Sequence, residues 1–86
     1  MRSRANAAYW KLFNALPPEI QQAAKTAFDI FDRNPFHPSL QFKEIDAKEG
    51  VWSARVGLRF RAMCIRRGSE LTWIWIGSHS DYDNRT

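Results

Sequence analysis

The chain has 86 residues, which is enough for one domain and too short for two. It carries 13 Lys and Arg against nine Asp and Glu, a formal net charge of +4, and most of these cations are arginines. No apolar run approaches the roughly 18 residues that a membrane-spanning helix requires, so we expect a single domain over residues 1–86 that does not enter a membrane.

Two amphipathic helices are predicted in the first part of the chain. Apolar residues recur every three or four positions over Ala5–Leu16 and again over Ile20–Phe31. Pro17-Pro18 separates the two runs, because proline breaks one helix and suits the first turn of the next. Asn34-Pro35 ends the second helix, since the residue before proline is pushed out of the helical region. The two helices are therefore expected to form a hairpin with one shared apolar side.

After the helices, the apolar pattern changes to the spacing of strands. Four strands are predicted between turn-forming segments: Leu40–Ile45, Val51–Val56, Phe60–Arg66 and Leu71–Ile76. The last is apolar on both faces, as expected of a central strand, with Trp73 and Trp75 predicted on one face and isoleucines on the other. Two helices followed by a run of strands predict an α+β fold, with an N-terminal helical hairpin packed on a twisted antiparallel β-sheet of about four strands.

The register of the middle hairpin follows from its apolar residues. A three-residue loop pairs Val56 with Phe60 and gives one wholly apolar face, whereas a two-residue loop would pair Val56 with Arg59. Because a slip by one residue exchanges the two faces of a strand, the apolar pattern favours the three-residue loop. In this register the other face carries Arg55 directly opposite Arg61.

The opposed arginines are candidates for holding an anion. Like charges opposite each other destabilise a sheet by up to about 1 kcal/mol, and arginine holds phosphate in a fixed fork. Arg55 and Arg61, with Arg59 at the turn and Lys43 on the first predicted strand, indicate an RNA-binding face. The alternative is a solvated face, or pairing with acidic residues that the sequence does not identify.

The segment after the last predicted strand holds side chains that can transfer protons. Cleaving RNA without a metal requires a group that takes the 2′-OH proton, a group that protonates the leaving 5′ oxygen, and cations that hold the charge on the phosphate. His79 fits the first two roles, Tyr82 fits the second, and Arg55 with Arg61 fits the third. A histidine that only caps the end of the strand is the alternative.

The remaining candidates indicate no further site. Cys64 is the only cysteine, which suits the reducing cytoplasm, and we expect it to be a buried thiol rather than a nucleophile. His37, between Phe36 and Pro38, is predicted to be structural. No spacing of histidines, acidic residues and cysteines indicates a metal site, and no glycine-rich loop indicates a nucleotide cofactor. We therefore expect neither a metal nor a small-molecule cofactor.

Five short motifs follow one another along nearly the whole chain. They are Leu16-Pro17-Pro18-Glu19-Ile20, Asn34-Pro35, Trp52-Ser53-x-Arg55-Val56, Phe60-Arg61 and Ile76-Gly77-x-His79-x-x-Tyr82. Their order resembles the RelE/ParE superfamily of toxins from bacterial toxin–antitoxin modules. The paired arginines of that family match Arg55 and Arg61, and its C-terminal His/Tyr position matches His79 or Tyr82. In RelE-like members the resemblance implies a cytoplasmic ribonuclease that cuts messenger RNA without a metal, often in the ribosomal A site.

The resemblance leaves two other functions open. One is a ParE-like protein that inhibits DNA gyrase without enzymatic activity, and the other is an inactive relative that only binds RNA or protein. Both toxin functions imply a cognate antitoxin, which we expect to lay an acidic or apolar segment across the cationic sheet. Family members usually begin with a short strand, whereas Met1–Ala8 shows no strand pattern and is predicted to lack one. The sequence also stops soon after Tyr82, so we expect no further C-terminal element.

Overall fold

The structure is a computed structural model and describes residues 2–85. Its elements in chain order are β1 (Arg2–Ala5), α1 (Ala7–Asn14), α2 (Pro18–Arg33), a short 3₁₀ helix (Pro38–Leu40), β2 (Lys43–Asp46), β3 (Val51–Val56), β4 (Phe60–Arg67), β5 (Glu70–Ser78) and α3 (His79–Arg85). The strands form one sheet in the order β1-β5-β4-β3-β2. The predicted α+β fold with a helical hairpin is confirmed, but the sheet has five strands and is mixed rather than purely antiparallel.

Strand β1 corrects the prediction that no strand precedes the first helix. It runs parallel to the start of β5, where the Arg2 N–H donates to the Ser69 carbonyl (2.8 Å) and the Asn6 N–H donates to the Trp73 carbonyl (3.0 Å). Three of its four residues are exposed. Its side chains therefore show no apolar alternation, and the strand is held by backbone hydrogen bonds that leave no mark on the sequence.

The two long helices lie close to their predicted positions. Helix α1 begins after Asn6, whose side-chain oxygen caps the helix by accepting from the Tyr9 N–H at 2.9 Å. Ala5, predicted to be in the helix, is therefore the last residue of β1. Helix α2 has Pro18 in its first turn and ends before Asn34, as the two proline signals predict. Among the described residues, no helix is both long and apolar enough to cross a membrane.

The main core lies between the two long helices and one face of the sheet. Trp73 is at its centre and packs edge-on against Phe28 and Phe31, with ring centroids 5.0 and 5.5 Å apart. Cys64 is buried in this core, as predicted, and burial raises the pKa of its thiol to about 12 although the Arg66 charge acts in the opposite direction. A thiol that stays protonated near neutral pH is a poor nucleophile.

The middle hairpin has the predicted register. Val56 pairs with Phe60 and Arg55 pairs with Arg61, so the loop has three residues. Strand β2 is shorter than predicted, because Leu40 belongs to the 3₁₀ helix and Gln41 takes a left-handed conformation (φ 47°) that interrupts the extended chain.

A β-bulge in β5 places its two tryptophans on opposite faces of the sheet. Met63 pairs with Trp75 and Cys64 with Trp73, so Ile74 is an extra residue on β5. The prediction that both tryptophans share one face is therefore wrong, because strict alternation holds only where no residue is inserted. Trp75 packs in a second cluster, and its indole lies so close over Gly77 that an added Cβ there would be 2.5 Å from Trp75 Cζ2.

Candidate functional site

An open cavity of about 220 Å³ brings together candidate residues from β4, the β3–β4 hairpin and the start of α3. It is lined by Gln41, Arg55, Leu58, Phe60, Arg61 and His79, and we call it the arginine cavity. The end of β5 positions His79, whose N–H donates to the Arg59 carbonyl at 2.6 Å. Three of the predicted catalytic residues, Arg55, Arg61 and His79, thus line one cavity.

Arg61 is held firmly beneath the surface and is only 7% exposed. Its Nη1 donates to Gln41 Oε1 (3.2 Å), and its Nη2 donates to the Gln41 carbonyl (3.3 Å) and to Ser53 Oγ (3.0 Å). The guanidinium carbon lies 5.1 Å from the centroid of the Tyr82 ring, within the range of a cation–π contact. The Arg61 Nε is also buried and donates no hydrogen bond to the described residues.

The positive charge of Arg61 lacks a counter-ion within the described part of the chain. No carboxylate of residues 2–85 forms an ion pair with it, and its neighbours are an amide, a hydroxyl and an aromatic ring. Burying a charge without an ionic partner is unfavourable, even where hydrogen bonds offset part of the cost. An anion in the arginine cavity would supply the missing charge.

Arg55 turns in a different direction from Arg61, although their backbones are paired. Its Nε donates to the Gly57 carbonyl at 2.9 Å, within the turn that follows β3. Its two terminal nitrogens make no hydrogen bond to the described residues, so they are free to bind a ligand. The two side chains thus have different hydrogen-bond partners, with Arg61 buried and Arg55 half-buried.

His79 and Tyr82 lie on the same helix in opposite environments. The His79 side chain is 58% exposed, and its Nδ1 lies 3.6 Å from Asp83 Oδ1, one turn later on α3. Tyr82 is 7% exposed, and its hydroxyl donates to Ser53 Oγ at 3.3 Å. Tyr82 does not line the arginine cavity. It lies against Arg61, and the Ser53 hydroxyl bonds both side chains.

The other predicted RNA-binding residues lie outside the lining of the cavity. Lys43 pairs with Ser53 across β2 and β3, so it is on the same face of the sheet, and its side chain is exposed. Arg59 is exposed at the β3–β4 turn. Neither lines the cavity, but both add positive charge to the surface around it, which raises the local concentration of anions.

Sequence reasoning missed two residues that hold Arg61. Gln41 is twenty positions away along the chain, and its left-handed backbone conformation has no signal in the sequence. Ser53 lies two residues before Arg55 on β3, so the predicted register puts it on the same face as the two arginines, and that position is a usable clue. His37 caps the 3₁₀ helix by accepting from the Ser39 N–H at 3.2 Å, which is a structural role as predicted. In the part of the chain that the structure describes, no three His, Cys, Asp or Glu side chains are grouped as a metal site would require.

Comparisons with known proteins agree on the fold and the family. The sequence model of the ParE-like toxin domain matches residues 18–84, while no curated protein sequence matches the chain. Similar solved structures include the RelB-RelE antitoxin-toxin complex from Methanococcus jannaschii (TM-score 0.73, 13% identity, covering 94% of this chain and 95% of that one). They also include the YoeB/ParE toxin from Agrobacterium tumefaciens (TM-score 0.70, 18% identity, 92% and 99%) and the RelBE2 toxin-antitoxin complex from Mycobacterium tuberculosis (TM-score 0.68, 20% identity, 90% and 88%). At these identities the likeness to solved structures shows the fold.

Proposed function

We propose, given that this chain belongs to the ParE-like toxin domain family, that it is the toxin of a toxin–antitoxin module and cuts messenger RNA in the cytoplasm without a metal. The observation that supports cleavage is the arginine cavity. It joins a buried guanidinium that has no carboxylate partner among the described residues to an exposed imidazole. A phosphodiester brings both the negative charge that Arg61 lacks and a reaction that histidine can catalyse.

The proposed reaction is attack of a ribose 2′ oxygen on the adjacent phosphorus. The new bond closes a 2′,3′-cyclic phosphate, and the bond to the 5′ oxygen of the next nucleotide breaks. His79 Nε2 takes the 2′-OH proton and later delivers it to the leaving 5′ oxygen, while the other ring nitrogen, Nδ1, lies 3.6 Å from Asp83 Oδ1. The terminal nitrogens of Arg55 bind the phosphate oxygens, and the fixed charge of Arg61 stabilises the negative charge that develops there.

Tyr82 takes a supporting role in this proposal. Its hydroxyl is already bonded to Ser53, and its ring lies against the guanidinium of Arg61. We therefore assign it the positioning of Arg61, and its direct protonation of the leaving group stays a prediction. Lys43 and Arg59 are proposed to attract the RNA backbone on either side of the cavity.

The direct test is primer extension on a messenger RNA incubated with the protein, with and without translating ribosomes. EDTA is added where ribosomes are absent. We expect discrete new RNA ends, because a fixed cavity cuts at defined positions. Cleavage in EDTA would show that no divalent metal is needed. Cleavage that occurs only when translating ribosomes are present would identify the translated message as the target. Intact RNA under both conditions would contradict the proposed function.

Inhibition of DNA gyrase is the second candidate. The match to the ParE-like toxin domain favours it. The side chains of Arg61 and Tyr82 also bond to Ser53 within the protein, and a protein that inhibits by binding needs no group for proton transfer. Trapped gyrase–DNA breaks together with intact cellular RNA would identify this activity. A protein that neither inhibits growth nor cuts RNA would instead be an inactive relative.

We also propose a cognate antitoxin that covers the arginine cavity with an acidic segment, since similar folds include toxins in complex with antitoxins. Arg55→Glu is then expected to weaken the complex by about tenfold or more, because like charges across an interface are strongly unfavourable. The measurement is the Kd by calorimetry at low and high salt. Arg67→Glu is the matched control, since Arg67 is exposed on the same face at the other end of β4. Equal weakening by both changes would contradict this site for the antitoxin.

A further inference from the structure

The orientation of the Gln41 amide is set by its partner. Arginine can only donate hydrogen bonds, so the amide atom that faces Arg61 Nη1 at 3.2 Å must be the oxygen. The main-chain carbonyl of Gln41 accepts from the same guanidinium. Both acceptors of the residue are thus occupied, whereas its amide nitrogen donates to none of the described residues, and Gln41 lines the arginine cavity.

The unoccupied polar groups around the cavity are mostly donors. The Gln41 Nε2 and the terminal nitrogens of Arg55 can only donate, and Arg61 adds positive charge behind them. Leu58, 83% exposed at the tip of the turn, and the half-buried Phe60 supply apolar surface beside these donors. A flat ring that carries hydrogen-bond acceptors on its edge matches this combination.

The four RNA bases differ in the groups that such a wall would meet. Guanine and uracil carry a keto oxygen, an acceptor, at the position where adenine and cytosine carry an amino group, a donor. A donor placed against an amino group leaves both unpaired, which costs more than the loss of one bond. We propose that Gln41 is a specificity residue, which selects a keto base, guanine or uracil, in the nucleotide beside the bond that is cut. This inference rests on the proposed ribonuclease function.

Gln41→Glu separates base selection from the support of Arg61. A glutamate keeps the length and an oxygen facing Arg61, but it offers a base an acceptor in place of a donor. Its negative charge also pairs with Arg61 and should lower cleavage of all four bases, so the base preference is read from the ratio and not from the rate. For RNA oligonucleotides that differ at one base beside the cut, we expect the native protein to prefer keto over amino bases by about tenfold in kcat/KM, the effect of one specific base contact. In Gln41→Glu this ratio should fall to one or below, because a carboxylate accepts from an amino group and offers nothing to a keto oxygen. Leu58→Ala is the control, since loss of apolar surface should lower cleavage of all four bases to a similar extent.

The ratio also distinguishes base selection from a merely structural role. A residue that only positions Arg61 would change cleavage of all bases equally, so an unchanged keto-to-amino ratio in an active Gln41→Glu variant would overturn the inference. Cleavage is measured on free RNA and on translating ribosomes, whichever is cut. Binding of 2′-O-methyl oligonucleotides, which cannot be cleaved, is measured in parallel. Keto-selective binding without cleavage would support base selection by Gln41 and reject the ribonuclease function. Cleavage without base preference would support the ribonuclease function and reject base selection by Gln41. If the protein neither bound nor cut RNA, both the inference and the proposed function would be overturned.

Discussion

Replacing Arg61 with alanine is expected to lower RNA cleavage by about 100-fold or more, which is the usual effect of removing one fixed group that stabilises transition-state charge. The guanidinium is held by Gln41 and Ser53, so its charge lies in place before the substrate arrives. No solvent or side chain then has to reorganise during the reaction. Primer extension and single-turnover rates on a short RNA would measure the loss.

Two further variants separate this charge effect from damage to the fold. Arg61→Lys keeps the charge but not the planar fork, so it should recover only part of the activity. Arg67→Ala removes an exposed arginine from the same strand and face, and we expect it to leave the rate within about twofold, as for other surface changes. Circular dichroism would show whether each variant is folded. Unchanged cleavage in a folded Arg61→Ala protein would remove Arg61 from the reaction.

His79→Ala should lower cleavage by about 100-fold to 10,000-fold, the range for the loss of a general acid or base. The imidazole is exposed at the cavity, and its Nδ1 lies 3.6 Å from Asp83 Oδ1. Folding should change little, because the side chain is mostly in solvent. Single-turnover cleavage and growth inhibition in cells would be compared, since a gyrase inhibitor needs no proton transfer and would stay toxic.

The other histidine of the chain, His37, provides a matched control for His79→Ala. His37 caps the 3₁₀ helix and does not line the arginine cavity. His37→Ala should therefore leave the cleavage rate unchanged, with at most a small loss of stability from the cap. If His79→Ala and His37→Ala behaved alike, the proton-transfer role proposed for His79 would be wrong.

The sequence was sufficient to predict the features that follow from apolar periodicity. The helical hairpin and the register that places Arg55 opposite Arg61 both depend on which residues must be buried, and a slip of one residue would have exposed the core. Helix α3 was not predicted, because its residues are mostly polar and their spacing marks no buried side.

Features that depend on the backbone or on distant partners could not be predicted. The pairing of β1, the bulge at Ile74 and the left-handed conformation of Gln41 involve main-chain geometry, which several different sequences satisfy equally well. The burial of Arg61 was not predicted either, since neither an RNA-binding face nor a solvated face requires a buried arginine. It follows from three hydrogen bonds to residues 8 and 20 positions away and from the Tyr82 ring, none of which periodicity reveals.

The pairing of β1 with β5 also sets the order in which the molecule can be completed during translation. Arg2 pairs with Glu70 and Ala5 with Trp73, so β1 is synthesised well before the strand with which it pairs. Contacts between such distant parts of a chain form late. The arginine cavity has the same requirement, because His79 follows β5. Under the proposed ribonuclease function, the chain can therefore cut RNA only after β5 and His79 have been synthesised and have joined the fold.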